Sequence, residues 1–480
     1  MDQFIDVSKQ TGEGKRKRYL AVLLLLLLVG CAVVLFNRRR KIETGYIPIA
    51  TLHRDTGKEP VKEPVKESGK EPRKEPEHPT INASINTEDD TIEKVFSWLA
   101  DEYLAPWLPM DKTHVGQAPI TKRMLCAMEL AYRSGAFRVR IIGKKVYYRH
   151  LVVWKQTYRK ARMVWYLKLL KKMALRGMIK KPVDVIIYVG DGPKVAGDTA
   201  TSHAGFPLFS LRTADHTVDI PLPDPVVYGS NGNYVWPEKA LNRPWTEKKK
   251  MLVFRGKGSC LKMQADNWHV CNRIRAVKLA DMYPELMDIK ITELNQLDKI
   301  SAPLYPPPTK KEVLDTTRTQ LGSFMSFFEQ AGYRYVLDLD GGLGSSRKPA
   351  TLRSGSVLFA QKSPWFNHFE PLLQPYVHYV PVDKWLRDLR EKVEDANTNE
   401  SKYEQIAKQG REFAEKFLTI EASMKYISIL FLKYADLLVE EVTTDPVEIN
   451  YCEAKGIEDI MNGPIGCSRK WTEWIDPPKK

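Results

Sequence analysis

The stretch YRYVLDLDGGLGSSRKPATLRSGSVLFA, residues 333–360, decides the fold. Its apolar run Tyr335–Leu339 has the length and composition of a buried strand. Gly341-Gly342-Leu343-Gly344-Ser345-Ser346 follows, then Arg347–Arg353, a short helix whose Pro349 is tolerated in the first turn. A second apolar strand, Val357–Ala360, comes after Gly355-Ser356. Strand, glycine–serine loop, helix start, strand is the order in which an open parallel sheet presents backbone N–H groups to a phosphate. Small residues let the backbone approach closely, and Arg347 adds a planar, bidentate contact to phosphate oxygens. Taken alone, the same residues also fit an ordinary tight turn between strand and helix.

The surrounding text narrows the choice. Asp338-Leu339-Asp340-Gly341, Ser345-Ser346-Arg347, Ser354-Gly355-Ser356 and Pro375-Tyr376-Val377-His378-Tyr379-Val380-Pro381-Val382 occur in order. This set resembles the core of glycosyltransferase family 90, which includes the protein O-glucosyltransferases and the fungal capsule xylosyltransferases. The resemblance covers roughly Gly135 to Leu438. It implies an α/β fold with two Rossmann-like domains facing a cleft, GT-B-like, and an inverting, metal-independent transfer from a UDP-sugar.

The resemblance also implies site residues. "PVDVIIYVGDGP" is similar to the family's strand ending in an Asp followed by Pro, and that Asp is the catalytic base in the protein O-glucosyltransferases; here it is Asp191. Its place agrees, because a carboxylate at the C-terminal end of the strand Asp184–Val189 sits where open α/β sheets put their sites and can take a proton from an acceptor hydroxyl. Without the flanking pattern, Asp191-Gly192 reads as a turn. Asp219-Ile220-Pro221 lies in register with the family's Asp-Ile segment. The donor-binding set carried over is Arg255, Gly256, Arg273, Gly342, Leu343, Gly344, Ser345, Ser346 and Arg347. Lys257 stands where the family usually has Ser, and Arg273 aligns across an insertion containing Cys260–Cys271. Fixed cations and a glycine loop stabilise the charge that grows on a leaving diphosphate. Asp338-x-Asp340 is therefore not read as a metal pair, and no cofactor is expected beyond the UDP-sugar co-substrate.

Outside this core, Tyr19–Phe36 is a run of 18 uncharged residues, the low end for a membrane-spanning helix. Lys15–Arg18 and Arg38–Lys41 flank it, so charge bias selects no orientation. A cleaved signal peptide is the rival reading, against which stands the Arg cluster where a small-residue cleavage site belongs. From Lys58 to Pro79 the chain repeats Lys-Glu-Pro units; regular Pro forbids a helix and balanced charge forbids a core, which describes an extended stem. The expected division is 1–18 cytosolic tail, 19–36 signal-anchor, 37–89 stem, 90–245 acceptor-side α/β domain carrying the base, 246–440 nucleotide-sugar domain and 441–480 tail. Apolar periodicity predicts helices at Asp383–Ala396, Tyr403–Phe417 and Ile420–Leu438.

Cysteine use fits a secretory compartment. Cys31 lies in the apolar run; Cys260/Cys271 and Cys452/Cys467 can each close a short loop, with Cys126 left over. Asn82 and Asn399 head glycosylation sequons, relevant if the bulk of the chain is lumenal in the endoplasmic reticulum or Golgi.

The formal charge is +15, and residues 131–182 carry sixteen Lys or Arg with no Asp or Glu. On a hairpin (Phe137–Tyr148) and a helix (Trp154–Met178) these cations are expected to face water. A purely basic outer face implies an anionic neighbour: headgroups, an acidic glycan or an acidic protein. Nucleic acid is not expected, given the apolar run, the stem and the lack of a reading motif. Two functions follow: a membrane-anchored transferase moving xylose or glucose to a glycan or protein hydroxyl, or an inactive relative that binds glycans or proteins.

Overall fold

The computed structural model describes residues 89–107, 120–150, 157–195, 206–225, 243–259, 271–294, 314–315, 321–443 and 472–473. The expected membrane segment 19–36, nearly all of the stem, Asn82, Cys260, Cys452 and Cys467 lie outside them. Among the described residues no helix is long and apolar enough to cross a membrane.

Two sheets carry the fold. In the first, β1 (Ala136–Ile142) pairs antiparallel with β2 (Lys145–Arg149) and with β3 (Val183–Tyr188). β3 then runs parallel to β4 (Leu208–Ser210), and β4 to β6 (Ile220–Pro221), while β5 (Thr213–Ala214) leaves the sheet. Gly143, at φ +57, makes the left-handed turn of the β1–β2 hairpin. β3 is buried along its whole length, its apolar run interrupted by Asp184.

The second sheet is wholly parallel: β7 (Lys249–Lys257), β8 (Met287–Glu293), β9 (Tyr333–Asp338), β10 (Val357–Gln361) and β12 (Val380–Val382), in the order β12-β10-β9-β7-β8. The chain runs from β7 out to β8, then crosses back past β7 to β9. This doubly wound order opens a crevice at the carboxyl ends of β7 and β9, where the winding reverses.

Side-chain alternation on β10 joins the two sheets. Val357 and Phe359 enter a core with helices Asn272–Met282, Leu389–Thr398 and Glu400–Phe417. Leu358 and Ala360, on the opposite face, enter the core of the first sheet. A one-residue slip would exchange the two sets, so register is strongly specified. The helix Ile420–Ala435 returns to the first sheet, burying Tyr426, Ile427, Leu430, Phe431 and Tyr434, each large apolar side chain contributing about 1.5–3 kcal/mol. Tyr434 Oη donates to Asp184 O at 3.2 Å and Tyr426 Oη to Pro221 O at 2.9 Å. β11 (Trp365–Phe366), just after β10, pairs antiparallel with β5 and forms a second seam between the sheets. At the far edge, β13 (Thr472–Glu473) pairs with β2.

Two expectations are corrected. The helix expected from Asp383 begins at Leu389, because the Asp383 carboxylate accepts from the backbone N–H of Trp385 and Arg387 and Leu386 sits at φ +62. That turn chemistry holds the chain out of a helix until Leu389. The basic segment, too, does not lie entirely in water. Arg138, Arg140 and Arg149 point into the first sheet's core. Arg138 forks onto Asp184 with both bonds at 2.7 Å, Arg140 Nε reaches Asp184 at 2.6 Å, and Arg149 Nη2 reaches Glu129 at 2.8 Å. Their acids come from outside or deep within the fold, which the local charge count does not show. Cys271 is disulfide-bonded, and Cys126 keeps a buried thiol that accepts from Arg138.

Candidate active site

At the carboxyl ends of β7 and β9 the crevice is built around two guanidinium groups, Arg273 buried and Arg347 nearly so. Arg273, the second residue of helix Asn272–Met282, donates Nε to Asp340 O at 2.9 Å, Nη1 to Lys257 O at 2.6 Å and Nη2 to Leu339 O at 3.1 Å. It thus clasps the ends of both strands across the reversal point. Arg347 donates Nη1 to Arg255 O at 3.2 Å and lies 4.4 Å from the Phe254 ring centroid. Burial lowers the pKa of Arg273 to about 10, with Arg347's charge the next cause. Burial also lowers that of Arg347. The Asp338 carboxylate is 3.9 Å from Arg347 Nε, too long for a hydrogen bond. Two like charges held close, both desolvated and only partly compensated, make a place for an anion.

Gly256 explains how Arg347 fits. A Cβ there would meet Arg347 Nη2 at 3.0 Å and Phe254 Cζ at 2.9 Å, so only glycine leaves room for the guanidinium against β7. The loop beyond β9 is tied from within: Ser345 Oγ donates to Asp338, Arg347 N to Ser345 Oγ at 3.3 Å, and Gly341 N to Gly344 O at 3.2 Å. Gly344 takes φ +83, which favours glycine. A Cβ on Gly342 would meet nothing within 4 Å, so the loop's backbone is open on that side. Arg347 immediately precedes the helix Lys348–Arg353, without a side-chain capping bond. Lys348 is buried; burial opposes its charge, but Glu370 (2.5 Å) and Asp338 outweigh it and hold its pKa above the usual. Asp340, by contrast, is pushed up to about 6 by burial.

Asp191 lies three residues beyond β3. Its side chain is 58% exposed and accepts from Arg162 Nη1 at 2.8 Å. Arg162, on helix Thr157–Leu175, also donates to Val189 O at 2.9 Å, fixing both ends of the turn. Asp219 secures the next residues, accepting from Lys194 N and from Val195 N at 2.7 Å; burial raises its pKa to about 7. Asp191 meets the glycine loop through its neighbour, since a Cβ on Gly192 would lie 2.7 Å from Leu343 Cδ1.

Of the residues named from sequence, Asp191, Arg273, Arg347, Gly256 and Gly342–Ser346 therefore meet around one crevice. The Arg255 guanidinium points elsewhere: it donates to Asp288 O at 2.7 Å and Asp288 Oδ1 at 2.6 Å on β8, and only its carbonyl faces Arg347. Sequence reasoning passed over Arg162 and Arg212. Arg212 donates to Asp191 O at 3.2 Å, Leu343 O at 2.8 Å, Asp224 Oδ2 at 3.1 Å and Ser346 Oγ. Its signal is its place two residues after the buried strand "LFS", in the same segment as Asp219.

A family model described as "Glycosyl transferase family 90" matches residues 96–466. The chain is similar to Protein O-glucosyltransferase 2 of Danio rerio, 31% identical over 200 residues, 39% of this chain and 37% of that protein. It is similar to Protein O-glucosyltransferase 3 of Homo sapiens, 29% identical over 192 residues (40% and 33%). A longer match, to Protein O-glucosyltransferase 1 of Homo sapiens, is 24% identical over 278 residues (54% and 64%). The chain thus spans about a third of the length of the first two relatives.

Proposed function

The chain belongs to glycosyltransferase family 90, and on that premise we propose that it moves a sugar from a UDP-sugar to a hydroxyl of a protein or glycan. The observation that carries the reading is the pair of guanidinium groups, Arg273 buried and Arg347 nearly so, at the reversal point beside the Asp191 turn. In this reading Asp191 takes the acceptor's hydroxyl proton as the oxygen attacks the sugar's anomeric carbon. The bond from that carbon to the β-phosphate oxygen breaks on the opposite face, so configuration inverts and UDP leaves with the electron pair. Arg273, Arg347 and the loop Gly342–Ser346 meet the growing phosphate charge. Donors fixed in advance are worth most in a site that excludes water. That set supplies the compensation a divalent ion gives elsewhere, and the reaction is proposed to run without one.

Xylose and glucose are the proposed donor sugars. The similarity to protein O-glucosyltransferases favours glucose and a protein acceptor. We place the enzyme in the endoplasmic reticulum or Golgi, anchored by residues 19–36 with its bulk lumenal. Transfer or hydrolysis assayed with UDP-xylose, UDP-glucose and UDP-galactose tests the reading. Turnover of one of them is expected; binding of UDP with turnover of none would point to an inactive glycan-binding relative.

A further inference from the structure

We propose that Arg212 is a positioning residue that sets the distance between the base-bearing turn and the donor loop; this rests on the reading of Asp191 and Gly342–Ser346 given above. Its guanidinium is buried, and one nitrogen, Nη1, serves two carbonyls far apart in sequence: Asp191 O at 3.2 Å and Leu343 O at 2.8 Å. One carbonyl belongs to the residue assigned to proton removal, the other to the loop assigned to phosphate. The second nitrogen, Nη2, reaches Asp224 Oδ2 at 3.1 Å and Ser346 Oγ, and Ser346 Oγ itself donates to Asp224 Oδ2 at 2.7 Å.

Three features separate this group from the donor-facing arginines. Asp224 is a buried carboxylate within hydrogen-bond distance, so the charge of Arg212 is met inside the protein. Its nearby chain is anchored on both sides, by β4 of the first sheet before it and by β5 after it, which pairs with β11 in a separate two-stranded sheet. The loop is also moulded on its stem: a Cβ on Gly344 would lie 3.3 Å from Arg212 Cδ and 3.1 Å from Trp365 Cβ. A planar fork with fixed donors can hold two backbones at a set spacing, which a flexible ammonium on a longer stem does poorly.

A group acting in this way governs how often acceptor, base and donor stand in reacting geometry, and not how tightly UDP binds. Misplacement by about 1 Å costs on the order of a hundredfold in rate. Arg212→Ala and Arg212→Lys are therefore expected to lower kcat for transfer by about a hundredfold and about tenfold, with UDP affinity within about threefold of wild type. The deciding experiment is a cycle with Asp191→Asn. If Arg212 works through the base, the double variant is no slower than Asp191→Asn alone. Multiplying losses, or a fall in UDP affinity that parallels the fall in transfer, would overturn the proposal. Should Arg212→Ala not fold, Arg212→Lys carries the same cycle, with thermal unfolding to confirm native structure. If Asp191→Asn by itself leaves transfer unchanged, the reading of the site has failed and the proposal goes with it. A normal Asp191→Asn loss with a multiplying cycle strikes the proposal alone.

Discussion

Arg162 and Asp191 form an ion pair of 2.8 Å in which the arginine is nearly buried, at 12% side-chain exposure, and the carboxylate is 58% exposed. The rigid partner is thus the cation, held by Val189 O as well, and the exposed acid rests on a fixed support. A general base works only when it is held within reach of the proton it removes. The pair places that constraint on the first sheet, while Arg273 and Arg347, proposed to meet the phosphate, belong to the second.

Arg162→Met keeps much of the apolar stem and removes the support. Transfer is expected to drop by roughly tenfold, with UDP binding by calorimetry unaltered. A weaker UDP affinity would mean that the helix Thr157–Leu175 supports the donor site instead.

Arg347→Ala deletes a charge-assisted donor in a buried site, worth on the order of 1.5–3 kcal/mol, or about ten- to a hundredfold in UDP affinity. Arg255→Ala should leave that affinity within a fewfold, its guanidinium being committed to Asp288. Equal losses for the two variants would show that the side chain of Arg255 turns toward the ligand on binding.

Gly256→Ala puts a methyl 3.0 Å from Arg347 Nη2 without touching the loop. UDP affinity should fall as Arg347 is displaced, with the melting temperature changed by only a few degrees. Unchanged affinity would imply that the guanidinium is not held against β7 when the site is filled.

Asp219 makes a pH test. Its carboxyl titrates near 3.8 when free and near 7 in the fold, because burial penalises the charged form. Between those values the folded chain holds a proton that the unfolded chain has lost, so this contribution is full below pH 3.8 and is lost as pH rises toward 7. The stability of wild type relative to Asp219→Asn should therefore decline from pH 4 to 7 and then level. A difference independent of pH across that range would show that the amides of Lys194 and Val195 keep Asp219 ionised throughout.

The sequence made the parallel sheet legible because β9, the glycine loop and β10 are local: a buried run, small residues and a second run need no distant information. The same holds for β3 and Asp191. What eluded reading depends on contacts between segments 20 to 131 residues apart. Arg212 meets Leu343, 131 positions away, and its place just after a buried strand marks it for the core side without naming that partner. Arg255 was assigned by motif, yet a strand side chain follows its face, and this one faces Asp288 on β8. Arg138, Arg140 and Arg149 looked solvent-facing because their acids, Asp184 and Glu129, lie outside the stretch that was counted. Pairing partners brought by topology, not local composition, decided each of these.

Asn399 is exposed in the turn between helices Leu389–Thr398 and Glu400–Phe417 and heads the sequon Asn399-Glu400-Ser401. If the bulk of the chain is lumenal, glycosidase treatment should increase gel mobility, and Asn399→Gln should remove part of that shift. No shift, with protease reaching the chain in sealed microsomes, would put it on the cytosolic side.

The central claim is that Asp191 removes the acceptor's proton while the arginine pair holds UDP, and Asp191→Asn separates the two. With the UDP-sugar found in the donor screen, transfer and UDP affinity are measured side by side on the folded variant. The account predicts transfer lower by at least about a hundredfold with UDP affinity preserved; transfer within a fewfold of wild type would contradict it.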